Sequence, residues 1–498
     1  MMKLKKYVAF MLLAVAVTLV TSCEEDDFDF PEEVVIDLTG GSADFTKYVS
    51  VGNSLTAGFT DGALFLAGQE YSMPNLLSQK FAMLDGGEFT QPLTNDNVGG
   101  LTLGGVVIQE PRLFFNGAGP ERLGDMPTNE ISNVLTGPFN NMGVPGAKSY
   151  HLLANGYGNL AGVPVGLANP YFARMASNPN ASVLEDAMAQ NASFFTLWIG
   201  NNDVLSYATS GGSGVNQLGN FDPSTYGPND ITDPTAFGGI YNGILSGLTA
   251  NGAEGVVLNI PYVTSIPFFT TVPYNPVPLD AATAGAVNAG YAPYNAGLLG
   301  LEGAGLLSSE ERAARTINFV EGQNAVVMVD EFLTDLSGFG LPSLRQTTAD
   351  DLLVLVGASF IGTTVGGDPT LVNGISVPLA DQWVLSSDEI AEVVVATDAY
   401  NQTIELLASQ NGLGFVNANA IMQQVASGGV QFDEFTMRGN LVFGGTFSLD
   451  GVHPTQRGYA FIANQILMAI DETYGSNFVE AGALLKATDY ITQYPASF

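Results

Sequence analysis

The sequence predicts an α/β fold built on a central parallel sheet, and three observations carry that expectation. Short apolar runs recur along the chain, each bounded by turn residues. Amphipathic helical patterns lie between them. The runs are apolar at successive positions instead of alternating, as strands covered on both faces require. With 498 residues, 46% of them apolar, the chain has ample material for a large core.

The first such run is Tyr48-Val49-Ser50-Val51, which leads into Gly52-Asn53-Ser54-Leu55. Ser193–Ile199, Gly255–Ile260 and Gly414–Asn417 are of the same kind. Ser386-x-x-Glu389 reads as a capping box, opening a helix with apolar positions at Ile390, Val393, Val394, Tyr400, Ile404 and Leu407. Thr397 is a polar interruption on that face. After Pro454, residues Tyr459, Ile462, Ala463, Ile466, Leu467 and Ile470 share one helical face. Strands alternating with helices argue for layers around a parallel sheet.

Two stretches break the alternation, at about 62–135 and 261–380. Both are rich in Gly, Pro, Asn and Thr with weak periodicity, and we read them as insertions on the functional edge of the sheet. The segment from 476 to 498 gives no pattern. Residues 46–475 are thus expected to form the main domain.

The beginning of the chain reads as a targeting segment. Lys3, Lys5 and Lys6 precede an apolar stretch from Tyr7 to Val20, too short to span a bilayer comfortably. Val20-Thr21-Ser22-Cys23 resembles the lipobox of bacterial lipoproteins. Residues 1–22 would be the signal peptide, and Cys23 would be acylated as the new N-terminus. Residues 23–45, opening with Glu24-Glu25-Asp26-Asp27, would be an acidic tether. The expected location is exported and membrane-anchored, on the periplasmic or cell-surface face of an outer membrane.

Composition narrows the chemistry. The formal charge of −34 repels phosphate backbones and makes nucleic acid a poor partner. Cys23 is the only cysteine and there are two histidines, His151 and His453, so a zinc site of ordinary ligand type is nearly excluded. No loop shows EF-hand spacing. Histidine-dependent catalysis must use one of the two. His453 lies three residues after Asp450, close enough for the carboxylate to fix the ring's tautomer. His151 has no carboxylate nearby in sequence and reads as a packing residue on a helix.

The nucleophile must be a hydroxyl. No Gly-x-Ser-x-Gly elbow exists, but Ser54 directly follows a buried strand, where open α/β sheets place their ligands. Taken alone, such a serine equally suits a helix cap.

The blocks are more informative together. Gly52-Asn53-Ser54-Leu55-Thr56-Ala57-Gly58 resembles block I of the SGNH (GDSL) hydrolases. Gly143-Val144-Pro145-Gly146-Ala147 is similar to block II, Gly200-Asn201-Asn202-Asp203 to block III, and Asp450-Gly451-Val452-His453-Pro454 to block V. They stand in family order across most of the chain. The resemblance implies a three-layer α/β/α sandwich of flavodoxin type with long insertions. It also implies Ser54 as nucleophile, His453 as base, Asp450 as its orienter, and an oxyanion hole from the N–H groups of Ser54 and Gly146 with the Asn202 amide. The family usually has aspartate where this chain has Asn53. Asparagine keeps the shape and one acceptor, so the change need not inactivate.

The implied activity is hydrolysis of carboxylic esters of carbohydrates or lipids, or of small esters, needing no cofactor and no metal. Two alternatives share the scaffold: an acyltransferase using the same triad, and a non-catalytic glycan- or lipid-binding surface protein. Pro261–Phe269, leaving the carboxyl end of a strand, is a candidate wall for the acyl or leaving-group pocket, and equally a loop packed on the core.

Overall fold

The computed structural model describes residues 36–498; the expected signal peptide and Cys23 lie outside the described residues. Five strands form one parallel sheet: β1 (Tyr48–Gly52), β2 (Asn141–Gly143), β3 (Phe194–Trp198), β4 (Glu254–Leu258) and β5 (Gly414–Val416). Their order is β2-β1-β3-β4-β5. Every residue of β1 and β3 is buried, which explains why the sequence shows continuous apolar runs. β2, at three residues, is too short to announce itself.

Helices flank the sheet in two groups. One holds α1 (Met73–Phe81) and α7 (Gln456–Tyr474); the other holds α2 (Val183–Met188), α4 (Pro234–Leu248) and α5 (Ser387–Asn411). Two more lie near the carboxyl edge, α3 (Asn202–Thr209) and α6 (Ala418–Ser427). The fold is therefore α/β with a helix-flanked parallel sheet, as expected. The capping box forms: Ser386 Oγ accepts from Glu389 N and Glu389 Oε2 accepts from Ser386 N. Thr397 is fully buried, its hydroxyl donating to Val393 O at 2.7 Å. That bond removes the cost of a polar group on the apolar face.

The second stretch of weak periodicity holds more order than its sequence suggests. It contains a 23-residue helix, Ala281–Gly303, and a hydrophobic cluster of its own around Leu298, Ile317, Val326 and Leu379. Glycine and alanine dominate that helix and leave few large side chains to mark a face. The first stretch contains α1, begun by Pro74 near its N-terminus, and two short hairpins.

The tail, patternless in sequence, docks firmly: Phe478, Ala487 and Tyr494 are buried. The end of the expected tether joins the fold too. Ser42 N donates to Tyr474 O, and Phe45 stacks on Phe81 with centroids 4.1 Å apart. No helix among the described residues is long and apolar enough to cross a membrane.

Candidate active site

Sheet order creates the site. With β2 on one side of β1 and β3, β4 and β5 on the other, the carboxyl ends of β1 and β3 form the switch point where the chain reverses direction across the sheet. Ser54 follows β1 and Asn202 follows β3. Ser54 opens a single helical turn, Ser54–Ala57, so its N–H has no intrahelical acceptor. Asn53 caps this turn, its Oδ1 accepting from Leu55 N at 3.0 Å and its Nδ2 donating to Asn201 Oδ1 at 3.1 Å. The acceptor that asparagine keeps makes the first bond, and the amide N–H that aspartate lacks makes the second.

His453 arrives from the loop before α7, 399 residues later in the chain. Its Nε2 lies 2.9 Å from Ser54 Oγ and its Nδ1 2.8 Å from Asp450 Oδ2. The two bonds use opposite nitrogens, so the carboxylate fixes the tautomer and leaves Nε2 to accept a proton. Asp450 is tightly held. Its Oδ1 accepts from Val452 N, His453 N and the Ser448 hydroxyl, and its Oδ2 also accepts from Gly62 N. Burial pushes this carboxyl upward, but His453 beside it and the hydrogen bonds outweigh that and hold it down at about 2. It remains an anion throughout the physiological range. Phe59 packs on the imidazole, with centroids 4.6 Å apart.

The expected oxyanion donors gather at the same place. Ser54, Gly146, Asn202 and His453 all line one open pocket of about 310 Å³. Gly146 adopts φ +80°, a left-handed conformation that side-chain-bearing residues resist. Asn202 Nδ2 donates to Ala147 O at 2.9 Å, which fixes the amide and leaves its second hydrogen available. Asp203 locks the two loops together: it accepts from Ser149 N at 2.8 Å and Ser149 Oγ at 2.7 Å.

A second cavity, about 110 Å³, opens on the other side of Ser54 and His453. Its walls are almost wholly apolar: Leu258 and Val416 at the strand ends, Met422 and Val425 from α6, Phe461 and Ile462 from α7. Pro261, Val263 and Ile266 close it, while Phe269 beyond them is buried in the core. The Pro261–Phe269 stretch thus serves both as pocket wall and as core packing.

The remaining histidine is structural. His151 sits on a 3₁₀ turn, Ser149–Leu153, stacked on Tyr157 at 4.5 Å. Its Nδ1 accepts from Lys148 N, and burial, with Lys148 adding to it, lowers its pKa to about 4. Among the described residues, neither cavity at Ser54 contains a cluster of metal-ligating side chains.

Sequence reasoning missed the supports of Asp450. Asp61 Oδ1 accepts from Leu449 N, and Asp61 N donates to Ser448 Oγ. Ser448 stands two residues before Asp450, a position that could have hinted at its role. Asp61 is almost 390 residues away and gives no local signal.

No family model matches the chain, and no curated protein matches it. Among solved structures it is similar to an α/β hydrolase from the metagenome of Lake Arreo, Spain, at 10% identity. That match covers 86% of this chain and 96% of the other, with a TM-score of 0.30. An acetylxylan esterase from Geobacillus stearothermophilus is similar at 9% identity, over 86% and 96% of the two chains, with a TM-score of 0.31. Superposition this loose carries no argument about chemistry, which rests on the chain's own geometry.

Proposed function

We propose that this protein is a serine ester hydrolase of the SGNH type. The observation that carries the reading is the relay Ser54 Oγ–His453 Nε2 and His453 Nδ1–Asp450 Oδ2, at 2.9 and 2.8 Å, beside donors suited to an oxyanion.

In this reading His453 Nε2 takes the Ser54 proton as Oγ attacks the acyl carbon. The carbonyl oxygen becomes an oxyanion, met by the N–H groups of Ser54 and Gly146 and the Asn202 amide. Each preorganised donor contributes roughly 3–4 kcal/mol to the transition state. Collapse breaks the ester C–O bond, and the imidazolium gives its proton to the leaving alcohol. Water then enters, loses a proton to His453 and attacks the acyl-enzyme. Ser54 oxygen leaves, recovers the proton, and the carboxylic acid departs. Asp450, anionic throughout, stabilises the imidazolium at each stage.

The two cavities divide the substrate. The dry one receives the acyl chain, because burying methylenes there gains about 0.8 kcal/mol each. A cavity of about 110 Å³ has room for an acyl chain longer than acetyl. The open pocket, edged by Gln109 and Asn169, suits a polar alcohol such as a sugar or glycerol. Medium-chain esters of polar alcohols are therefore the proposed substrates. A lipid anchor on Cys23 would hold the enzyme at a membrane surface.

The test is hydrolysis of para-nitrophenyl acetate, butyrate and octanoate by the purified protein, beside Ser54→Ala. Turnover lost in the variant, and rising from acetate to octanoate, is expected. Undiminished turnover in Ser54→Ala would overturn the nucleophile assignment.

A further inference from the structure

Three carboxylates from separate parts of the chain converge away from both cavities at Ser54. Glu331 follows the strand Val327–Val329, Asp381 begins a 3₁₀ turn, and Glu389 lies in the first turn of α5. An oxygen from each lies within 4.8 Å of the others. Acidic side chains often meet without purpose at a surface, but Glu389 is not at the surface. It is 1% exposed. Its Oε2 is engaged by Ser386 N at 2.6 Å, while its Oε1 is buried and has no hydrogen-bond partner.

As a carboxylate oxygen, Oε1 lacks a donor. A buried polar atom without a partner points to a missing one. No nearby base supplies one. Arg345, the guanidinium in this region, is committed to Asp330 at 2.5 Å and Asp351 at 2.6 Å. The loop at Gly211 and Gly212 closes one side: a Cβ on Gly212 would fall 1.8 Å from Glu389 Oε1.

We infer that Glu331, Asp381 and Glu389 form a binding site for a hard divalent cation, calcium. All three donors are oxygens, with no nitrogen or sulfur to favour zinc or copper. Calcium holds oxygens at about 2.3–2.6 Å, so ligands across the ion stand about 5 Å apart, which accommodates the spread in this cluster. Magnesium demands a tighter octahedron at about 2.0–2.1 Å. The ion would satisfy Oε1 and neutralise the charges. It would also fasten the insertion's own hydrophobic cluster, through residues 331 and 381, to helix α5 of the main core. Its role is structural and does not depend on the ester-hydrolase reading.

The experiment is calorimetric titration of the full-length protein, stripped with EDTA and dialysed, with calcium chloride and separately with magnesium chloride. Thermal melting is followed with and without calcium. The expected result is one calcium site per chain, a melting temperature several degrees higher with calcium, and weaker magnesium binding. Glu331→Gln combined with Asp381→Asn should weaken calcium binding at least tenfold with the far-ultraviolet circular dichroism unchanged. Glu331 is exposed, so the single Glu331→Gln variant reports on the site should the double variant fail to fold. No heat and no melting shift at millimolar calcium would overturn the site. Binding equally tight in the variants would also overturn it, since the ion would then sit elsewhere on this acidic chain. Tighter magnesium than calcium would overturn the assignment of the ion.

Discussion

The loop before α7 and the insertion face of α5 each enclose a carboxylate, and they treat it in opposite ways. Asp450 has hydrogen-bond donors for both oxygens and is held at about 2. Glu389 has one oxygen served and one left alone, and is raised to about 8. A fully satisfied buried anion is fixed in place and can orient a neighbour through many turnovers. An unsatisfied one marks a place where something else belongs. The number of donors around a buried charge separates the two roles better than burial itself.

The largest effect that would test the catalytic side is loss of the nucleophile. Ser54→Ala is expected to remove nearly all turnover, by about 10⁴-fold or more, with thermal stability close to that of the parent. Asp450→Asn tests the satisfied anion directly. It should lower kcat by about 10⁴, because an amide can present its N–H to Nδ1 and impose the wrong tautomer. A kcat within tenfold of wild type would show that His453 is oriented by something other than this carboxylate. Asn202→Ala should follow, lowering kcat by roughly 10²–10³ with little change in KM. Unchanged kcat would remove the amide from the oxyanion hole.

Smaller effects sharpen the contrast. Met422→Trp fills the dry cavity and should shift preference from octanoate toward acetate by about tenfold or more, read as the ratio of kcat/KM. A parallel loss on both esters would mean that the acyl chain lies elsewhere. Asp61 offers the gentlest test, since it sits beside Asp450 yet is left short. Its Oδ2 is buried without a partner, and burial, with Asp450 adding to it, raises its pKa to about 7 from 3.8. The native state therefore favours the protonated form. Its contribution to stability is complete below about pH 4 and fades as pH rises through about 7. Urea midpoints should fall between about pH 4 and 7, and Asp61→Asn should flatten part of that fall. A slope unaltered in the variant would assign the pH dependence to other groups.

What the sequence displayed depended on how local each feature is. The buried strands at 48–52, 194–198, 254–258 and 414–416 are readable because a covered strand is apolar at most positions, the buried Ser50 and Thr196 being satisfied by each other. The site residues are readable because each sits in a short block of small and polar residues at a strand end. Gly146, Asn202 and His453, each from a different block, line one pocket with Ser54. The features that escaped are the ones built by distance. Asp61 meets Leu449 across 388 positions. The apolar cavity exists only once α6 and α7 face the strand ends. The helix Ala281–Gly303 escaped for another reason, since alanine and glycine make a helix without painting a stripe on it.

The separation of 399 residues between Ser54 and its base also sets a timetable. Synthesis at about 5–20 residues per second puts roughly 20–80 s between the appearance of the two side chains. During that interval the serine is an ordinary alcohol, because no other histidine stands near it. The last strand and helix must close the sheet before Nε2 reaches Oγ. On the proposed reading, a chain still being made therefore carries no activated serine, and acquires one only when its final layer is in place.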